Sequence, residues 1–368
     1  GIQFQRGYCQ AVYTLASTAS LMTGLDPYRH RVTEKKNKLP ENAITLAERF
    51  SEAGYQTGTF TANGNAGPAF GMTQGFQDVN EVDRQPNYTG WAADVTNTFT
   101  QWLNEMDKDK PFFAYLHYRE PHGPFNPPPN FKNYFTDPNY TRFEEASDEM
   151  RRKIRTGEIT ETQADRDFIT ASYDENLRYG DYEVGRLIKT LKDLKLYDRT
   201  ILILIADHGE AFWEHDFQGH NSQLYEESIR IPYIVKLTSA SGIKSKHVNT
   251  PVRTIDTYPS LVDLLQLPRK NWDVDGQSFL TYLTSSQTQD VPVFSQTLNE
   301  EAYSISEGNF KYIYHRFQDT DELYDLKNDS EERKNLIDEK PILRAYMRTR
   351  LFGWQKSVRQ AEAKVAKK

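Results

Sequence analysis

The sequence is short of cysteine, of excess positive charge and of long apolar runs, and each shortage narrows what the protein can be. Its single cysteine, Cys9, cannot form a disulfide within the chain, so cysteine usage does not identify the redox compartment. The 45 lysines and arginines face 52 aspartates and glutamates, and the net charge of −7 disfavours a nucleic-acid-binding surface. No apolar run is long enough to span a bilayer, so we expect membrane contact only if a segment upstream of Gly1 supplies it.

The residues that are abundant describe an ordered chain in which helical and strand patterns alternate. Its 368 residues include 22 tyrosines and 20 phenylalanines, too many for a disordered protein. Helical patterns from about Asn42 to Gly54, around Phe99 to Met106, and from Arg166 to Leu194 are each followed by an apolar strand. This alternation predicts an α/β fold with a central sheet between helices. The third strand, TILILIA, is continuously apolar, which predicts that both of its faces are covered.

Two other regions differ in character. The charged segment from Pro138 to Asp167 reads as a solvated surface excursion. After Gly276 the pattern becomes a series of short strands and turns, which predicts a small antiparallel sheet followed by a final helix near Ile342 to Val358. We therefore expect a catalytic α/β domain over residues 1–285 and a C-terminal subdomain over residues 286–368.

Polar residues capable of chemistry follow each of the three predicted strands. They are Asn63, His122 and the pair Asp207-His208, with His220 a few residues later. In open α/β sheets the ligand site lies beyond the carboxyl ends of the strands, so we expect these side chains to meet in one crevice. A carboxylate and an imidazole at a strand end suit a divalent metal with open positions for substrate. The structural alternative is that Asp207 caps a turn and His208 is a satisfied core histidine.

Two further histidines read as supporting residues. His215 lies between Glu214 and Asp216, which favours a position on the surface or behind the site. His117 belongs to a predicted strand and can point to either face of the sheet, so we expect a structural role.

A second group of polar residues surrounds the start of a short predicted helix. Thr14, Ser17, Thr18 and Ser20 lie at its beginning, and Gly24 is expected to end it. The N-terminus of a helix offers free N–H groups and a positive dipole, which suit a phosphoryl or sulfuryl group. A hydroxyl at this point could serve as a nucleophile if a metal lowered its pKa, although simple capping by Ser or Thr is the commoner arrangement.

Six blocks of sequence in order carry a family resemblance. They are TLASTASLMTGLDPYRHRV, LPENAITLAERFSEAGYQTGTFTAN, PFFAYLHYREPHGPF, DHGEAFWEHDFQGH, LYEESIRIPYIV, and FKYIYHRF with ELYDLKNDSEERKNL. Together they resemble the sulfatase family of the alkaline phosphatase superfamily, from near Gly7 to about Leu336. The resemblance implies an alkaline-phosphatase-like central mixed sheet flanked by helices, and a metal-dependent hydrolase of sulfate or phosphate esters.

The resemblance also locates the nucleophile. In this family it is the first residue of a Cys/Ser-x-Pro-Ser-Arg motif, in which Cys or Ser becomes formylglycine. Here that position is Thr14, the proline position is Ala16 and the arginine position is Thr18. A threonine nucleophile is similar to the phosphoethanolamine and phosphoglycerol transferases of the same superfamily. Those transferases also resemble this chain in placing a histidine at the position of His220, where many sulfatases have lysine.

The resemblance implies a role for each candidate residue, together with a divalent cofactor, Ca²⁺, Mn²⁺ or Zn²⁺. The metal ligands are Asp207, His208 and Thr14; the catalytic residues are Thr14, His122 and His220; the substrate-binding residues are Asn63 and Ser17. In the family one or two further acidic metal ligands lie on a first strand some tens of residues upstream of the nucleophile, and we expect the domain over residues 1–285 to lack that strand. The stretch before Thr14 contains no acidic residue, so a metal held by the three ligands alone is expected to bind weakly.

Three functions stay open at this point. The first is hydrolysis of a small-molecule or glycan sulfate or phosphate ester. The second is a phosphoethanolamine- or phosphoglycerol-type transfer with a phosphothreonine intermediate. The third is a degenerate member that binds anions without turnover. Family members are often exported, so we expect a periplasmic or extracellular location; the sequence does not indicate an oligomeric state.

Overall fold

The computed structural model describes residues 1–82, 91–284 and 289–365. Helices and strands alternate through most of it, which confirms the predicted α/β class. The strands are β1 (Ile2–Tyr8), β2 (Gln56–Thr61), β3 (Asp78–Glu81), β4 (Phe112–His117), β5 (Leu202–Ile205), β6 (Ala211–Phe212), β7 (Gln218–Gly219), β8 (Arg230–Lys236), β9 (Lys246–Val248), β10 (Val252–Arg253), β11 (Val293–Gln296), β12 (Ala302–Glu307), β13 (Phe310–His315) and β14 (Thr320–Asp325).

The helices cover both faces of the sheets. They are α1 (Thr14–Thr23), α2 (Pro27–His30), α3 (Leu46–Glu52), α4 (Trp91–Glu105), α5 (Asp148–Arg155), α6 (Gln163–Asp193), α7 (Glu226–Ile229), α8 (Thr257–Leu265), α9 (Leu280–Thr284) and α10 (Pro341–Val365). Among the described residues, no helix is both long and apolar enough to cross a lipid bilayer.

Strands of both directions form the central layer, as the predicted mixed sheet requires. One sheet has the order β10-β1-β8-β5, with β9 also on β1; β8 is antiparallel to its neighbours, while β9 and β10 are parallel to β1. A second, parallel sheet has the order β3-β2-β4. Side chains of β4 and β5 share an apolar cluster in which Phe113 lies with Ile203. The two sheets therefore meet where β4 and β5 lie near each other.

The prediction that the TILILIA strand is covered on both faces is confirmed for Leu202 and Ile203, which pack into different apolar clusters, and was wrong for Leu204. Within the described residues β5 pairs only with β8, so it is an edge strand, and Leu204 is 40% exposed. A continuous apolar run reports the environment of side chains, whereas the edge position depends on which distant strands pair with it.

Two further predictions needed correction, one on the start of a helix and one on the exposure of a segment. The helix expected from about Asn42 begins at Leu46, because Thr45 and Glu48 form a capping box in which each side chain accepts from the other's backbone N–H. The segment 138–167 is more than a solvated excursion: Met150 and Ile154 of α5 are buried in a cluster with Phe125.

The C-terminal prediction is confirmed in outline. Strands β11 to β14 form an antiparallel meander, and α10 follows it. This layer packs against the start of the chain, where Ser295 donates a hydrogen bond of 2.6 Å to the carbonyl of buried Cys9. The predicted boundary between residues 285 and 286 lies outside the described residues, so the division into two domains stays a prediction.

Candidate active site

The predicted convergence of strand ends and a helix start is present in the structure. Thr14 is the first residue of α1 and is 6% exposed. The side-chain amide of Asn63, just after β2, donates to the Thr14 hydroxyl at 3.5 Å. The Thr14 hydroxyl also interacts with the carboxylate of Asp207, just after β5. The free N–H groups of the first turn of α1 therefore open onto a carboxylate and an amide.

Helix α1 also holds the backbone on which these groups sit. Ser17, one turn into the helix, is fully buried and donates a hydrogen bond of 2.6 Å to the backbone carbonyl of Asp207. Gly24 ends the helix in the left-handed conformation, with φ of 68°. Ser17 thus fixes Asp207 relative to Thr14, while its own role in substrate binding stays a prediction.

Three histidines form a contiguous cluster beside this pair. The ring centroid of His220 lies 4.5 Å from that of His208 and 5.4 Å from that of His122. In each ring Nδ1 has an oxygen partner: the Gly209 carbonyl for His208, the Gly123 carbonyl for His122, and a glutamate for His220. Because these oxygens accept, each Nδ1 carries the proton, and each Nε2 is left for a ligand or substrate.

The electrostatics favour an anionic carboxylate among neutral rings. Burial alone would raise the pKa of Asp207, but electrostatic interactions with the adjacent His208 and His117 and the contact with the Thr14 hydroxyl lower it to about 2. Burial lowers the pKa of His208. Burial, reinforced by the charge of His220, lowers the pKa of His122 to about 4. At neutral pH the site therefore holds negative charge at Asp207 and uncharged imidazoles at His208 and His122.

The partner of His220 is a residue that the sequence reasoning did not single out. Glu210 lies three residues after Asp207, and its Oε2 accepts from His220 Nδ1 at 2.7 Å. Its other oxygen lies 3.8 Å from Nη1 of Arg151, on α5. Burial would raise the pKa of Glu210, but the hydrogen bond from His220 and the charges of His220 and Arg151 lower it. Glu210 is thus an anion that orients His220.

The two histidines expected to be supporting residues differ in position. His215 stacks on Tyr225 with ring centroids 3.6 Å apart and bonds Glu227 at 2.8 Å, which agrees with a role behind the site. His117 lies closer to the chemistry than expected. Its Nδ1 bonds the Tyr115 hydroxyl at 2.8 Å, and it interacts electrostatically with Asp207.

Gly209, which follows His208, lies where there is no room for a side chain. The N–H of Gly209 donates to the carbonyl of Ser228 at 2.9 Å, so the two backbones are in direct contact. A side chain at this position would collide with the carbonyl oxygen of Glu227. This close contact between the backbones of Gly209 and Ser228 holds His208 at the end of the sheet.

The donor atoms of Asp207 and His208 fit one divalent ion. Oδ2 of Asp207 and Nε2 of His208 are 3.6 Å apart. Two ligands of a tetrahedral ion at bond lengths of about 2.1 Å are separated by about 3.4 Å. The described part of the chain has no group of three or more His, Cys, Asp and Glu residues arranged to hold a metal. The set is therefore compatible with a metal but short of carboxylates.

Comparison with protein families places this site in a known context. The family model named Sulfatase matches residues 1–267 of the chain. A second model, N-sulphoglucosamine sulphohydrolase, C-terminal, matches residues 214–356. The first match alone spans more than half of the chain and includes every candidate site residue.

Curated relatives match along most of both partners. The uncharacterized sulfatase YidJ of Escherichia coli (strain K12) is 25% identical over 92% of this chain and 76% of its own length. The choline-sulfatase of Rhizobium meliloti (strain 1021) is 23% identical over 91% of this chain and 75% of its own length.

Solved structures match the fold. The phosphonate monoester hydrolase of Agrobacterium radiobacter superposes with a TM-score of 0.79 at 20% identity, covering 97% of this chain and 89% of that one. A structure in complex with its substrate D-glucosamine-2-N,6-O-disulfate gives a TM-score of 0.76 at 19% identity, covering 98% and 91%. Because the family model spans most of the chain and the relatives agree with it, this chain belongs to the sulfatase family and is an ester hydrolase.

Proposed function

We propose that the protein hydrolyses sulfate or phosphate esters by metal-assisted attack of the Thr14 hydroxyl. The observation that carries the proposal is the position of this hydroxyl: it opens helix α1, lies beside Asp207 and receives a hydrogen bond from Asn63. An anionic group bound there would face the free N–H groups of the helix and the histidine cluster together.

The proposed reaction has two balanced steps. In the first, the Thr14 oxygen bonds to sulfur or phosphorus as the bond to the ester oxygen breaks. The hydroxyl proton passes to Nε2 of His122 or His220, and the same imidazole then gives it to the departing alcohol oxygen. In the second, water attacks the threonine ester, releases sulfate or phosphate and restores the hydroxyl. The net change is ester plus water to alcohol plus inorganic anion.

We assign Asp207 and His208 as the groups that would hold a divalent ion, with Thr14 as a further ligand, and Ca²⁺, Mn²⁺ or Zn²⁺ as its candidate identities. Sulfatase-family membership suggests such an ion, and the 3.6 Å separation of the two donor atoms supports it. A bound divalent ion would polarise the sulfuryl or phosphoryl oxygens and make the threonine hydroxyl more acidic. Asn63 is assigned to the substrate's anionic oxygens.

One observation favours a second candidate, a transferase with a phosphothreonine intermediate. Threonine cannot become formylglycine by the usual route, and a threonine ester persists until an acceptor attacks it. An alcohol in place of water at the second step would complete a transfer. Hydrolysis and transfer share the first step and its leaving group. Only the acceptor in the second step, water or an alcohol, distinguishes the two reactions.

The test is turnover of an aryl sulfate, a phosphate monoester and a phosphodiester, each with Ca²⁺, Mn²⁺ or Zn²⁺. It would use this chain and a longer form carrying any encoded residues upstream of Gly1. We expect turnover that depends on metal and is abolished in Thr14→Ala, with the Tm unchanged; Thr14→Ser, which keeps the hydroxyl, should retain measurable activity. A Thr14→Ala variant with the parent's rate would remove Thr14 from the mechanism. Silence on every ester in both forms, with anion binding retained, would favour the non-catalytic alternative.

A further inference from the structure

An exposed aromatic surface lies beside α6. Four aromatic rings lie there with one arginine, which stacks on two of them, and we call this set the aromatic platform: Phe131, Tyr134, Phe135, Arg178 and Tyr182. Tyr134 is 62% exposed, Phe135 50% and Tyr182 53%. The rings form two pairs bridged by the arginine: Phe131 lies 5.3 Å from Tyr182, and Tyr134 lies 5.0 Å from Phe135. Large exposed aromatic groups of this kind mark interaction sites more often than chance exposure does.

A buried carboxylate fixes the shape of the loop that carries the platform. Oε1 of Glu175, a residue only 3% exposed, accepts hydrogen bonds from the backbone N–H groups of Tyr134, Phe135 and Thr136 at 2.8, 3.0 and 3.1 Å. It also accepts from the Thr136 hydroxyl at 3.1 Å. Four donors on one buried oxygen hold three consecutive residues in place, so the exposed rings sit on a preorganised loop.

The arginine in the platform has free hydrogen-bonding capacity. Its guanidinium lies 3.7 Å from the ring centre of Tyr134 and 5.5 Å from that of Phe131. Within the described ranges Arg178 has neither an ion pair nor a hydrogen bond, whereas Arg316, which lies over Phe317, is paired with Glu300 at 3.4 Å. A stacked guanidinium without a carboxylate partner is well suited to bind a planar or tetrahedral anion with two donors.

Neighbouring residues of α6 anchor the loop of the platform and the loop of His122. Asn176 follows Glu175, and its amide donates to the carbonyls of His122 and Pro124 at 3.4 and 3.3 Å. One residue of a helix advances by only about 1.5 Å, so the loop of the platform and the loop of His122 are anchored side by side. Both loops are therefore fixed to the same turn of α6.

We propose that the aromatic platform binds an anionic sugar unit of a sulfated glycan, beyond the unit whose ester is cleaved. The inference rests on the proposed function and adds to it a substrate class, a polymeric rather than a small ester. Tyr134 and Tyr182 offer flat faces for the apolar side of a sugar ring, and Arg178 offers donors for its sulfate or carboxylate. In the described part of the chain the Arg178 guanidinium is unpaired and lies over two rings, which favours an anionic, ring-shaped ligand.

The test compares two variants of the platform with a matched pair elsewhere. Arg178→Ala and Tyr134→Ala remove the cation and one ring. Arg316→Ala and Phe317→Ala remove an exposed arginine and ring of the same chemistry on the β13–β14 connection, where Phe317 is 69% exposed. Binding of a sulfated glycosaminoglycan hexasaccharide, and of the same hexasaccharide after desulfation, is measured by calorimetry, and kcat/KM is measured for the hexasaccharide and for an aryl sulfate.

We expect Arg178→Ala to weaken binding of the sulfated hexasaccharide roughly tenfold, the loss of one charge-assisted contact, and to leave the desulfated one unchanged. Tyr134→Ala should weaken both. Aryl sulfate turnover and the Tm should stay at the parent's values, as should all properties of the control pair. Unchanged hexasaccharide binding in both platform variants would overturn the inference, as would equal losses in the control pair. So would a shift from dimer to monomer in Arg178→Ala, because it would assign the surface to a second copy.

The calorimetric readout separates the two proposals. If no ester is turned over but sulfated hexasaccharide binding depends on Arg178, the proposed reaction fails and the platform stands. If esters are turned over and binding is indifferent to Arg178 and Tyr134, the reaction stands and the platform fails.

Discussion

The hydrogen bond between Glu210 and His220 allows a graded prediction. Replacing Glu210 by Gln keeps an acceptor for His220 Nδ1 but removes the charge, and replacing it by Ala removes the acceptor as well. A buried hydrogen bond to a charged group is worth about 1.5–3 kcal/mol and a neutral one about 0.5–1.5 kcal/mol. The 2.7 Å length and the buried carboxylate support the stronger class. We expect kcat to fall roughly 5- to 15-fold in Glu210→Gln and roughly 10- to 150-fold in Glu210→Ala.

The size of the loss should depend on the leaving group. If Glu210 acts through His220, and His220 protonates the departing oxygen, alkyl esters should show the full loss and 4-nitrophenyl esters very little. The combination of Glu210→Gln with His220→Ala should be no worse than His220→Ala alone. Equal losses on both classes of ester, or additive effects in the double variant, would refute the proposed positioning role and point to a structural one.

Three further outcomes are expected from other parts of the structure. Burial lowers the pKa of His30 to about 3, so between pH 3 and 6.5 the unfolded chain binds a proton that the folded chain does not bind. The contribution of His30 to stability is therefore full above pH 6.5, and the free energy of unfolding falls by about 1.4 kcal/mol per pH unit as the pH drops toward 3. His30→Gln should flatten this slope when the free energy of unfolding is measured by urea titration at several pH values. Lys311, fully buried between Glu226 and Glu332, should cost about 3–5 kcal/mol when replaced by Ala, measured by urea unfolding; a loss below 1 kcal/mol would contradict the pairing. A chelator should abolish turnover in the parent and cause no further loss in His208→Ala, and chelator-resistant turnover in the parent would exclude a metal role.

The sequence allows the site to be predicted wherever local pattern and chemistry coincide. Asp207 and His208 end an apolar run, and Thr14 starts a helix that Gly24 closes, so strand and helix periodicity alone locate them. Glu210 escaped notice because a glutamate after a strand looks like any solvated residue. Its burial depends on His220 and on Arg151 of α5, a segment whose charge predicted exposure.

The position of β5 could not be predicted for a related reason. Its apolar letters fit a strand covered on both faces, and they do pack against Phe113 and other side chains of the second sheet. Hydrogen-bonding partners, however, come from distant parts of the chain and leave no local mark. The start of α3 was also not fixed by the local pattern, because the sequence did not distinguish the capping residue Thr45 from residues just before it, such as Asn42.

The pairing of β1 has a consequence for the time course of folding. This first strand finds its partners late in the chain: Ile2 lies opposite Val235, and the Tyr8 hydroxyl donates to Glu226, 218 residues further on. At 5–20 residues per second, ribosomes take roughly 10–50 s to make that intervening stretch. During this interval the strand that leads to Thr14 lacks its partner β8. Thr14, the proposed nucleophile, therefore follows a strand whose partner is synthesised much later, and the rate of production of active protein should depend on holdase chaperones that protect this strand until then.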